Sequence, residues 1–212
     1  MAVPASSEVI DFRSADRSGR PNSARVRILR SFADRLRAGG IRQITMTELA
    51  QGLGMSKKTL YENFSNKEDV LTATVELWVE GFLRRMADAE TAHGEPNALV
   101  HALAEAHMDS VECFSTGFWF ELPRDYPVVH ERVTRALGQA NRQARIALSK
   151  HLRPGVAPRV ATETFLAMIA RTADPEVCRR LEVTRRELTM AALDIWARGA
   201  LLHGTRDPSP EV

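Results

Sequence analysis

Cysteine is scarce in this chain. The two residues, Cys113 and Cys178, are far apart and form no closely spaced pair, which excludes a disulfide-stapled secreted domain and favours a reduced, cytoplasmic protein. Long apolar runs are missing as well: none approaches the ~18 residues of a membrane span. Pro4, Glu8 and Asp11 stand where a signal peptide needs a basic start and an unbroken apolar core, so neither export nor a membrane partner is expected. Catalytic patterns are also absent. There is no glycine-rich phosphate loop and no GxSxG elbow, and nothing in the sequence suggests an activating partner for Cys113. His101 and His107 fall on different faces of a helix. Glu105 and Asp109 share a face, but no second helix motif accompanies them as a carboxylate metal site requires. No metal, no cofactor and no enzymatic activity are expected. Alternating strand patterns of useful length do not occur, which makes the expected fold all-α.

Charge is nearly balanced overall, with 29 Lys and Arg against 27 Asp and Glu, but it is unevenly placed. Residues 1–70 hold 12 basic and 8 acidic side chains, so a mild field attractive to phosphate sits in the N-terminal third. Residues 1–22 mix Ser, Arg, Asp, Pro and Gly without period and read as a flexible arm. From Ala24 the spacing of Val26, Leu29, Phe32, Ala33 and Leu36 predicts a helix, ended at Gly39-Gly40 by residues tolerant of positive φ. Thr45 then opens a short helix with Glu48 in the capping-box position. After Gly54, Ser56 caps a third helix over about Lys57 to Asn63. Two caps separated by one glycine turn are the local chemistry of a helix-turn-helix. Asn66 caps a long fourth helix carrying Leu71, Val75, Trp78, Phe82 and Met86. Further helices are expected around 100–114, then a segment broken near Pro123 and Pro127, then 128–152, 159–172 and a final helix over 180–203.

In such a motif the third helix enters the major groove. Lys57 and Lys58 reach guanine edges or phosphates, Asn63 reads adenine or donates to the backbone, and Thr59 approaches a thymine methyl or a phosphate. Tyr61 offers a hydroxyl on a rigid stem, while Leu60 and Phe64, four apart, face the core. Lys67 places a cation beside a helix N-terminus, an arrangement that makes sense if a phosphate is bound there. A helical adaptor whose basic head faces another protein is the competing reading of the same pattern.

The segment from about Arg27 to Val70 resembles the DNA-binding head of the tetracycline-repressor family of bacterial regulators. The matching residues are Ile28-Leu29, Phe32, Gly39 or Gly40, Ile44-Thr45, Leu49-Ala50, Gly54, Ser56, Thr59-Leu60-Tyr61, Phe64 and Lys67-Glu68. The resemblance implies phosphate contacts from Tyr61 and Lys67 and base contacts from the Lys57–Asn63 helix. Met46 departs from the family's second threonine, leaving Thr45 or Thr47 to supply that hydroxyl; Ser56 completes the expected DNA-facing set. It also implies a head of residues 23–68, an effector-binding and dimerisation body of 69–204 and a polar tail of 205–212.

The resemblance further implies dimerisation through the last two helices, where the alternative reading is a stripe packed within one subunit. Phe165, Ile169, Leu188, Ala191, Ala192, Ile195, Gly199 and Leu202 would form an isologous seam, the small residues allowing close approach. A two-fold dimer then implies an inverted-repeat duplex as partner. The body is rich in large apolar groups. Trp78, Phe82, Phe114, Phe118, Trp119 and Phe120 are either solid core or, as the resemblance implies, the lining of a pocket for a small, largely apolar effector, with His107 and Tyr126 as polar contacts. The resemblance implies that effector binding releases a repressor from DNA.

Overall fold

The computed structural model describes residues 10, 12, 23–91, 95–172 and 174–201. Most of the expected arm and the tail, together with Leu202, lie outside the described residues. Among the described residues the chain is helical, as expected: ten α-helices and one 3-10 turn, with an isolated antiparallel bridge between Leu152 and Leu201. No described helix is long and apolar enough to cross a membrane.

Helix α1 (Ala24–Ala38) starts where Ser23 accepts from the Val26 amide. It buries Val26, Ile28, Leu29, Phe32, Ala33 and Leu36, a stripe at three- and four-residue spacing. It stops at Gly39, but with φ −159° rather than in the left-handed region expected for the glycine pair. What Gly40 provides is space: a Cβ there would come within 2.5 Å of a Glu121 carboxylate oxygen. The 3-10 turn Ile41–Gln43 follows, then α2 (Met46–Gly52) and α3 (Lys57–Asn63). Between them Gly54 adopts φ 61°, a conformation that disfavours any side chain, so the helix-turn-helix turn does require glycine.

Two compact units account for the chain. The first holds Met1–Arg85 and Ala106–Gln139, so the head of residues 23–68 shares a unit with the start of α4 (Lys67–Thr91), the end of α5 (Pro96–Glu112), all of α6 (Thr116–Asp125) and the start of α7 (Pro127–Ser149). The second holds Met86–Glu105 and Ala140–Val212, with α8 (Pro158–Thr172), α9 (Pro175–Leu181) and α10 (Arg185–Ala200).

The break expected around Pro123 and Pro127 is present: Pro123 lies inside α6, and the backbone leaves the helix at Tyr126, just before Pro127. A proline constrains the residue before it, and Tyr126 is that residue. The expected single helix over 180–203 is two: Leu181 ends α9, Glu182 turns left-handed at φ 56°, and Thr184 opens α10 through a complete capping box with Glu187. The Glu187 carboxyl is held below its usual range by the Thr184 backbone N–H and hydroxyl.

Within the second unit α8 and α10 pack directly. Phe165 meets Trp196 edge-on at 5.5 Å, the Thr189 hydroxyl donates to Thr172 at 2.8 Å, and the Trp196 indole donates to Thr164 Oγ1 at 3.1 Å. Phe165 and Ile169 are thus buried within one protomer. Leu188 and Ala192 are half-buried, while Ala191, Ile195 and Gly199 are exposed. Ile195 is 75% exposed, unusual for an isoleucine.

Candidate nucleic-acid interface

Helix α3 owes its start to Ser56, whose Oγ accepts the Thr59 amide at 3.0 Å. Leu60 and Phe64 are buried and hold it on the head's core, as their spacing predicted. The opposite face is open. Lys57 and Lys58 are exposed and Tyr61 is 50% exposed. Lys58 pairs loosely with Glu62 at 3.9 Å on that surface, a solvated contact that a phosphate can replace at little cost.

Two expected base readers are engaged with the helix itself. The Asn63 side-chain amide donates to the Thr59 carbonyl at 2.8 Å, and the Thr59 hydroxyl lies 2.9 Å from that of Ser56. Thr45 caps α2, accepting the Glu48 amide at 3.2 Å. The expected reciprocal box is incomplete, because its hydroxyl donates to the Glu48 carboxylate at 2.7 Å instead. Thr47 is half-buried in the first turn of α2, and Ser56 is exposed.

Lys67 resolves a puzzle of the sequence. Its ammonium, awkward beside the N-terminus of α4, donates to the Ile41 and Ile44 carbonyls at 3.2 and 3.1 Å. Two of its three donors are used this way, leaving one for an anion.

Sequence reasoning overlooked the arginines that brace the head. The Arg25 guanidinium sits 4.3 Å above the Phe64 ring and donates to the Asn63 carbonyl at the end of α3. Arg27 donates to Leu53 O at 2.8 Å, satisfying a carbonyl at the end of α2, and Arg35 donates to Glu48 O at 3.1 Å. The visible signal was only that all three lie on α1; the partner carbonyls are remote in sequence.

The expected effector residues divide. Trp78, Phe82, Phe114, Phe118 and Trp119 form one cluster, with ring centroids 4.1 to 6.1 Å apart in the contacting pairs. The indoles of Trp78 and Trp119 donate to the Ser110 and Val111 carbonyls. His107 meets Phe82 edge-on at 6.2 Å. Phe120 points elsewhere and is 69% exposed. Tyr126 is half-buried, its phenol pushed up by burial and by the nearby Asp125 charge. Glu105 and Asp109 are each engaged in an ion pair, Glu105 with Arg186 and Asp109 with Arg85. Among the described residues no group of three or more His, Cys, Asp or Glu is placed to hold a metal.

Residues 29–74 match the family model for bacterial regulatory proteins of the tetR family. The head is similar to that family's. No curated protein matches in sequence, but solved structures share the fold over 83–90% of the chain. A tetR-family regulator from Agrobacterium tumefaciens superposes with a TM-score of 0.65 at 15% identity, covering 83% of this chain and 96% of its own. SmeT of Stenotrophomonas maltophilia, the repressor of the multidrug efflux pump SmeDEF, gives 0.64 at 17%, covering 90% and 97%. FadR of Bacillus subtilis in complex with stearoyl-CoA gives 0.64 at 17%, covering 84% and 98%. The family match of residues 29–74 supports DNA-binding transcriptional regulation; the solved structures, at 15–17% identity, show the fold.

Proposed function

We propose that the protein is a dimeric, sequence-specific transcriptional repressor that binds an inverted-repeat operator and leaves it when a small, largely apolar effector binds. The observation that carries this reading is the exposed Lys57–Lys58–Tyr61 face of a capped α3, buried on its other side through Leu60 and Phe64, within a tetR-family match. Lys57 and Lys58 contact guanine edges or phosphates, Tyr61 and Lys67 contact phosphates, and Thr45, Thr47, Ser56 and Thr59 supply hydroxyls. Asn63 serves first to stabilise α3, since reading a base would require it to give up the Thr59 carbonyl.

The dimer seam in this proposal is the outer face of α10, with Ile195 at its centre and Leu188, Ala191, Ala192 and Gly199 around it. A Cβ added at Gly199 would meet nothing within 4 Å in the protomer, which fits a place kept for another helix. Two joined heads bind with nearly additive free energies, so the operator is palindromic.

The effector enters at the aromatic cluster of Trp78, Phe82, Phe114, Phe118 and Trp119, with His107 as polar contact. Its rings already pack on one another, so a ligand must displace ring–ring contacts, and that rearrangement supplies the difference between ligand-free and bound states. The stearoyl-CoA complex of the B. subtilis relative supports an acyl or similarly apolar ligand class.

Selection from random duplexes tests recognition and symmetry together. Enrichment of one inverted repeat is the expected result. A folded protein that enriches no motif overturns the proposal and leaves a helical adaptor whose basic head faces protein.

A further inference from the structure

Helix α6 grips the segment between α1 and α2 through a continuous set of polar contacts. Ser115 donates through Oγ to the Gly39 carbonyl at 2.6 Å, and its amide donates to Leu36 O at 3.1 Å. The Arg42 amide donates to Glu121 Oε2 at 2.9 Å, and its guanidinium binds Asp125 in bidentate fashion at 2.7 and 2.8 Å. Gly117 and Gly40 let the two backbones touch: a Cβ at Gly117 would lie 3.3 Å from Gly40 Cα. The held turn is the one whose Ile41 and Ile44 carbonyls receive the Lys67 ammonium, and the next residue, Thr45, caps α2.

We propose that α6 belongs to the DNA-reading machinery, with Asp125 and Glu121 as positioning residues that fix the Ile41–Gln43 turn and, through it, Lys67 and the start of α2. The Arg42–Asp125 pair is partly exposed, with side-chain exposures of 47% and 25%, so as an ion pair it adds little stability. Its two-point geometry fixes direction, however. Asp125 is held below the usual carboxylate range chiefly by that hydrogen bond. The inference rests on the regulator reading above.

The test compares affinity for the selected operator and for a scrambled duplex of equal length, using the full chain, Asp125→Asn, Arg42→Gln and the double variant. Loss of a carboxylate alone strengthens binding to both duplexes equally through the phosphate field and leaves their ratio unchanged. Loss of positioning lowers the ratio. Each single variant is expected to reduce it by roughly three- to tenfold, with the double variant no worse than either. Amide exchange at Arg42 and Ile44 should accelerate in Asp125→Asn while α8 is unaffected. An unchanged ratio, or fully additive losses, overturns the proposal. If the unaltered protein prefers no duplex, the regulator reading has failed and exchange decides alone: unchanged protection at Arg42 and Ile44 overturns the positioning role too.

Discussion

Cys113 is fully buried, and burial pushes its thiol up to about 11. An unfolded chain ionises a thiol near ~8.5, so the neutral buried thiol contributes stability that is complete below that pH and is lost as pH rises towards the folded value. Alkaline unfolding should therefore steepen above about pH 8.5, and a Cys113→Ala variant should flatten that limb of a pH–stability curve. At neutral pH a maleimide should label the half-buried Cys178 and spare Cys113 until the chain unfolds; equal labelling of both would contradict the burial argument. Lys67 predicts a double effect. Replacement by Ala removes a phosphate contact, weakening all duplexes about equally and lowering the salt slope by roughly one unit. It also strips the Ile41 and Ile44 carbonyls of their donor, which should cost about 1–2 kcal/mol in denaturant melts. A loss of DNA affinity with unchanged stability would show that those carbonyl contacts are not made in solution.

At the scale of elements, the beginnings of α2, α3 and α4 were legible and helix partners were not. Thr45, Ser56 and Asn66 each cap through an atom three residues away, so their chemistry is written locally. Lys67 and its carbonyls are separated by 23 and 26 residues, and Arg42 and Asp125 by 83; no local pattern announces such pairs. The left-handed Glu182 was missed for a related reason. Its turn contains neither Gly nor Pro, and Thr184 with Glu187 was the overlooked sign that a new helix starts there. Caps also separate stability from recognition. Ser56→Ala should cost about 1 kcal/mol and, by fraying the start of α3, weaken specific binding more than nonspecific binding. A cap change in α10, Thr184→Ala, should lower stability while leaving the affinity of the surviving dimer for DNA unchanged, as titrations at dimer-saturating concentration would read out. Acidification should weaken that α10 box by itself, because the depressed Glu187 carboxyl contributes above the usual carboxylate range and its contribution disappears as pH falls through its folded value.

For the whole molecule, the all-helical plan and the tetR-like head could be read from apolar spacing, paired caps and a handful of ordered matches. The expected seam was only partly legible: apolar spacing marked Phe165 and Ile169 along with Ile195, yet the first two are consumed inside the protomer. A helical stripe cannot say which of its flanks meets a neighbour in the same chain. Ile195→Glu should convert a sedimenting dimer into a folded monomer and reduce operator affinity by the loss of bivalent attachment; a dimer that survives this change must join elsewhere. The bond from Ser115 to Gly39 and the contact of Gly117 with Gly40 bear on how such regulators acquire new specificities. A recognition head cut out near residue 68 would leave behind the helix that shapes its own connecting loop. On the positioning role proposed for α6, recombination between relatives would transplant DNA preference faithfully only when residues 115–125 travel with the head, which would make the heritable module of recognition discontinuous in the gene.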